Sequence, residues 1–197
     1  MNDWANQYFQ EQLLGNVDGV AIGMAYFRQR GFRDEIIKKF QLGYALSQRD
    51  AITKAALQHG FKEEYLITTG LTYRSNENQL LDRFHGRVIF PVFTVSGKVV
   101  AFGGRILSSD KKLAKYVNSP ESIIYSKSHE LYGLFQAKNS IVRNDCCFLV
   151  EGYTDVISMH QAGIENVVAS SGTSLTDGQI RLLHRFTNNI TVLYDGD

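Results

Sequence analysis

Apolar residues in the first third of the chain recur every three to four positions, which predicts short helices. "ANQYFQEQLL" and "GVAIGMAYFRQRG" both carry that spacing, the second stopped by Gly31. "RDEIIKKF" sets Ile36, Ile37 and Phe40 on one face. Ser47 can cap a helix over "QRDAITKAALQH" that ends at Gly60, and "KEEYLITTG" ends similarly at Gly70.

The period then changes. "GRVIFPVFTVSGKVVAFGGRIL" reads as two β-rich runs joined through Ser96-Gly97, a hairpin signal. Pro91 cannot donate to a ladder, so it is expected at an edge or bulge. Gly103-Gly104 is expected to break the second run just before Arg105. An irregular stretch, "SSDKKLAKYVNSPESIIYSKS", precedes a helix over "HELYGLFQAKNSIV", with Leu131, Leu134, Phe135 and Ile141 on a common stripe.

From Cys146 the elements alternate. "CCFLV" is a strand, "TDVISMHQAG" a helix closed by Gly163, and "ENVVASS" a strand. "TDGQIRLLHRF" is a helix whose Thr176 and Gln179 make a capping box, and "ITVLY" is the third strand. This βαβαβ order predicts a parallel sheet covered by helices. The fold class is therefore an α+β amino-terminal subdomain, residues 1–143, followed by an α/β domain over residues 144–197.

The 197 residues are 44% hydrophobic, enough for a globular core. No apolar stretch suits a bilayer span, and "MNDWANQYFQEQ" lacks a signal-peptide pattern. A soluble, cytoplasmic protein is the expectation. Adjacent Cys146 and Cys147 would point to opposite faces of a strand, which suits small core residues better than a disulfide or zinc pair.

Charge changes the picture through its distribution. Residues 98–127 hold six bases against two acids, and residues 144–197 hold seven acids against two bases. A basic half beside an acidic half suits a polyanion held against a metal site, although two solvated surfaces would have the same composition.

Ligands of open parallel sheets collect beyond the carboxyl ends of the strands. There "CCFLV" runs into Glu151, and "ITVLY" into Asp195-Gly196-Asp197. Asp155 lies one helical turn beyond Glu151 and faces the same crevice. Converging carboxylates repel one another unless a cation neutralises them. With oxygen ligands only, Mg²⁺ or Mn²⁺ fits better than Zn²⁺, and paired ions would suit displacement at phosphorus.

At these residues the chain resembles a known family. "LVEGYTDVI", "GTSLTDGQI" and "YDGD" are similar to the Toprim domain of primases, topoisomerases and some nucleases. "YFRQRGFRDEIIKKFQLGYA", "DRFHGRVIFPVFTVSGKVVAFGGRIL", "KYVNSPES" and "YSKSHELYGL" resemble the amino-terminal subdomain of bacterial DnaG-type DNA primase. The resemblance runs through nearly the whole chain. It implies a metal-dependent nucleotidyltransferase that makes RNA primers from ribonucleoside triphosphates on a single-stranded DNA template. It also implies that Glu151, Asp195 and Asp197 bind the divalent ions, with Asp155 as support or further ligand. Arg30, Arg83, Arg105, Lys115, Asn118 and Lys127 match the family's basic and polar wall, a set whose forked and point charges suit phosphate oxygens. His85 stands where the family often has arginine.

The resemblance further implies a zinc-binding module before residue 1, and more Toprim elements and a helicase-interacting domain after residue 197. The chain thus reads as a fragment of a catalytic core, inactive alone. Two rivals stay open: Toprim-type strand cleavage by a nuclease or topoisomerase, and nucleotide or single-stranded DNA binding without turnover.

Overall fold

Two antiparallel strands, Arg87–Phe93 and Val99–Ile106, meet at the Ser96-Gly97 turn and form the middle of one sheet. The computed structural model describes residues 1–108, 113–170 and 174–194. Helix α1 (Asn2–Gly15) leads into a π-helical turn (Gly19–Met24) that continues as α2 (Ala25–Gln29). Next come α3 (Asp34–Lys39), β1 (Gly43–Ala45), α4 (Ala51–Gln58) and α5 (Glu63–Thr68). A small hairpin, β2 (Thr72–Arg74) and β3 (Leu80–Asp82), precedes β4 (Arg87–Phe93), β5 (Val99–Ile106) and β6 (Tyr116–Asn118). The remainder is α6 (Leu134–Asn144), β7 (Cys147–Val150), α7 (Tyr153–Gln161), β8 (Val167–Ala169), α8 (Asp177–Leu183) and β9 (Ile190–Val192).

Two sheets position the site. The antiparallel sheet has the order β1-β4-β5-β6, and the parallel sheet the order β8-β7-β9. The parallel βαβαβ arrangement is the one its alternating elements predict, and the Thr176–Gln179 capping box is present at α8. Both cysteines are free; burial pushes the Cys147 thiol up to about 12, so it stays an inert core residue.

The two sheets share one core. A single apolar cluster joins Phe27, Phe40 and Phe90 to Tyr153, Val156, Ile157 and Val167. Tyr132 also exchanges two backbone hydrogen bonds with Ala169, of 2.9 and 3.0 Å, covering the outer edge of β8. Helix α6 lays Leu134, Ala137 and Ile141 against Leu149 and Val168 of the parallel sheet.

Five local expectations change, the first being that the stretch read as irregular contains β6, which takes the free edge of β5. Gly103-Gly104 does not break β5, which runs through both residues to Ile106. The glycines answer crowding: a Cβ on Gly103 would lie 2.4 Å from the Tyr153 ring, and one on Gly104 2.7 Å from Phe84. Ser47 does not cap α4. The amides of Ile52 and Thr53 instead donate to the buried Asp82 carboxylate, each at 3.0 Å, so the cap comes from β3. Leu131 precedes α6, and Phe135 turns away from its stripe toward Phe93, 5.7 Å between centroids.

Pro91 lies on the central strand β4, yet beyond the reach of β1, which pairs only Arg87 to Ile89. Its partner Phe102 aims its own N–H and C=O at Ser119 on the far side. The Pro91 nitrogen therefore faces away from β5 and no ladder bond is lost. The bulge falls one residue later, at Val92/Phe93.

Candidate active-site crevice

Strand β7 ends at Val150, and the chain turns through Glu151 and Gly152 into α7. The turn is held by Asp155, whose Oδ2 accepts from the Gly152 amide at 3.0 Å. Both carboxylates are exposed, and both line a crevice of about 510 Å³. Its opposite wall is β6 and the residue before it: Lys115, Tyr116 and Asn118. Four of the residues singled out in the sequence, Lys115, Asn118, Glu151 and Asp155, are thus brought together from the two sheets.

Tyr153 sets the distance between the walls. Its hydroxyl donates to Asn118 Oδ1 at 2.7 Å. Its ring stacks on Phe90 (5.0 Å, 7° between planes) and meets Tyr132 edge-on at 4.7 Å. The space for that ring is the space that Gly103 leaves. Sequence reading passed over Tyr153; its signal was the pair Gly103-Gly104, read as a breaker when it marked a close approach.

Arg87 was missed as well. It is buried at the start of β4, and its Nη1 donates to the carbonyls of Gly104, Ala114 and Lys115 at 3.2, 3.0 and 3.3 Å. Those bonds pin the backbone that presents Lys115. Burial lowers the Arg87 pKa, which still leaves a group with such a high ordinary value charged.

Lys115 also lines a second cavity of about 660 Å³, beside Tyr26 and Arg105. The Arg105 guanidinium hydrogen-bonds the Tyr26 hydroxyl and lies 4.7 Å from that ring's centroid and 5.9 Å from that of Tyr116. Arg30, exposed at the end of α2, lies 5.4 Å from the Tyr26 centroid. Arg30, Arg105 and Lys115 therefore gather around Tyr26 next to the crevice.

Arg83 and Lys127 are placed differently. Arg83 Nε donates to the Gly70 carbonyl at 2.8 Å, with burial lowering its pKa, so it braces the turn after α5. The Lys127 amide donates to Glu121 Oε1 at 2.7 Å, while Gln179 Nε2 holds the Lys127 carbonyl at 3.1 Å. His85 is held below its ordinary value by burial first and then by Arg49 and Arg87, which keeps its imidazole neutral at neutral pH.

Asp195 and Asp197 lie outside the described residues. Strand β9 runs parallel to β7, so the two share the direction in which Glu151 is reached. Among the described residues no group of three or more His, Cys, Asp or Glu is placed to hold a metal ion. Glu151 and Asp155 do offer a hard, oxygen-only donor set with access to solvent, which fits a divalent magnesium-like ion and not a soft metal.

Comparison with known proteins decides the family. The family described as "DNA primase catalytic core, N-terminal domain" matches residues 8–138. The chain belongs to the DnaG-type primase catalytic-core family. A Toprim-like family matches residues 148–197. A DNA primase of Clostridium acetobutylicum is 43% identical over 198 residues, covering 100% of this chain and 32% of that relative. The chain spans about a third of the length of the curated primases it matches. Among solved structures, the RNA polymerase domain of Mycobacterium tuberculosis primase DnaG superposes with a TM-score of 0.91 at 36% identity, covering 100% of this chain and 65% of that one. A DnaG primase catalytic domain bound to single-stranded DNA gives 0.89 at 38% identity, covering 100% and 62%. No described helix is long and apolar enough to cross a membrane.

Proposed function

We propose that this chain supplies the nucleotidyl-transfer site of a primase that makes RNA primers on single-stranded DNA. The observation that carries the reading is the crevice itself: Glu151 and Asp155 face Lys115 and Asn118 across a gap set by Tyr153. Transfer at phosphorus asks for positioning and charge neutralisation more than for covalent chemistry, and this arrangement offers both.

In this reading residues 144–197 are the acidic half and residues 1–143 the basic wall. Glu151, with Asp195 and Asp197, would hold Mg²⁺ or Mn²⁺, and Asp155 fixes the turn that carries Glu151. The ions neutralise charge on the reacting phosphates when bound. Lys115, Asn118, Arg105 and Arg30 orient the triphosphate and the strand. Arg83 would act through the turn it braces, and Lys127 from outside the lining of the crevice. Ribonucleoside triphosphates, template DNA and growing RNA are the partners, at the replication fork in the bacterial cytoplasm.

The test has two arms. Calorimetric titration of the chain with Mn²⁺ and a nucleoside triphosphate should lose its metal-dependent signal in Glu151→Gln. The same substitution in a primase of full relative length should abolish primer synthesis. Retained metal binding in the first arm, or retained synthesis in the second, would refute the assignment.

A further inference from the structure

The cavity farthest in kind from the crevice lies between the β4–β5 turn and α8. It measures about 610 Å³, and its lining includes Ser96, His129, Glu130, Arg181 and Arg185. None of these residues lines the crevice.

Its charge is anomalous for its surroundings. Residues 144–197 carry seven acids and only two bases, and those two bases are Arg181 and Arg185. Both line this one cavity, four residues apart on the same face of α8 and the turn that extends it. Both are exposed, and among the described residues neither forms an ion pair with a carboxylate. Lys98 stands exposed on the opposite turn. The single acid present, Glu130, is half-buried, and burial pushes its carboxyl up to about 7, so much of its negative charge is withdrawn near neutral pH.

The frame is rigid. Gln179 Nε2 donates to the carbonyls of Lys127 and Glu130 at 3.1 and 2.9 Å, and Thr176 Oγ1 to that of Ser128 at 2.6 Å. A Cβ on Gly178 would come within 2.6 Å of the Ser128 carbonyl oxygen, so α8 sits hard against this segment. On the other wall Lys138 Nζ donates to the Val95 carbonyl at 2.7 Å.

We propose that this cavity is a second nucleic-acid contact, in which Arg181 and Arg185 take phosphate groups of a single strand whose other end occupies the crevice. Two guanidiniums one helical turn apart can reach two successive phosphates, and the phosphate arm of the test below separates this from a single anion gripped by both. The proposal rests on the nucleic-acid reading above, and it adds a contact that shares no lining residue with the crevice.

Binding of a labelled oligothymidylate to the chain, measured by fluorescence anisotropy across a salt series, tests it. Replacing both arginines, Arg181→Ala with Arg185→Ala, should flatten the log–log salt slope by about 1.4, at about 0.7 per lost phosphate contact on a single strand. Arg181→Lys with Arg185→Lys should keep the slope, because the charges remain. Triphosphate binding in the crevice should be unchanged by either pair. An unaltered slope in the alanine pair overturns the proposal. So does a phosphorus-NMR response to inorganic phosphate that the alanine pair abolishes, since the cavity would then serve a free anion. Lys115→Glu is the control for the parent reading: if it leaves both strand and triphosphate binding intact, the crevice assignment fails, whatever α8 does.

Discussion

The Tyr153 hydroxyl donates a 2.7 Å hydrogen bond to Asn118 Oδ1, and this bond ties the acidic turn to the edge strand that follows Lys115. Glu151 and Asp155 flank Tyr153 in sequence, and Lys115 and Asn118 flank Tyr116. One aromatic residue therefore fixes the relation between two sets of charges drawn from different sheets.

Tyr153→Phe keeps the stacking on Phe90 and loses only this bond. Stability should fall by no more than about 1 kcal/mol, while triphosphate affinity drops roughly fivefold as Asn118 loses its anchor. Urea melts and calorimetric titration separate the two. Unchanged affinity would show that Asn118 is held in place without the hydroxyl.

Gly103→Ala is the harsher change. The new methyl would sit 2.4 Å from the Tyr153 ring, so the ring must move. Overpacking of this kind costs about 1–3 kcal/mol. Mn²⁺ and triphosphate binding should weaken together with stability. A variant as stable as the parent would mean that Tyr153 has another rotamer open to it.

Arg105→Lys tests the cluster around Tyr26. Lysine keeps the charge but loses the planar contact with the rings of Tyr26 and Tyr116. Strand affinity should fall roughly two- to fivefold at every salt concentration, by about 0.5–1 kcal/mol of lost ring contact, with the salt slope preserved. Unchanged affinity would make Arg105 a simple phosphate charge.

Glu130 predicts a pH effect of definite sign. Burial raises its carboxyl from the ordinary 4.5 to about 7. Between those values the folded state holds a proton that the unfolded state has released, so this group's contribution to stability falls as pH rises through the window. His160, pushed down to about 4 chiefly by burial, gives the opposite slope between 4 and 6.5. Glu130→Gln should therefore become more stable relative to the parent as pH climbs from 5 to 8, read from the difference in thermal midpoints. A difference that stays flat would place Glu130 in open solvent.

The helices and the parallel sheet were legible because each is written locally. Ile36, Ile37 and Phe40 share a helical face, Thr176 and Gln179 cap their own helix, and β7, α7 and β8 alternate in plain order. The acidic turn at Glu151 was legible for the same reason. What the sequence concealed depends on partners distant along the chain. Asp82 caps a helix thirty residues earlier, β6 is a strand only because β5 offers it an edge, and the purpose of Gly103 appears only once Tyr153 is folded beside it. Arg87 looks like the start of a strand until its three carbonyl partners come into reach.

The core cluster that joins Phe27 to Val167 packs the two halves on one shared apolar interior. The slot between Lys115 and Glu151 is then of fixed gauge, cast when the chain folds rather than drawn shut around a guest. In such a slot adjustment would fall to flexible side-chain tips, and an occupant would have to match the gap on entry.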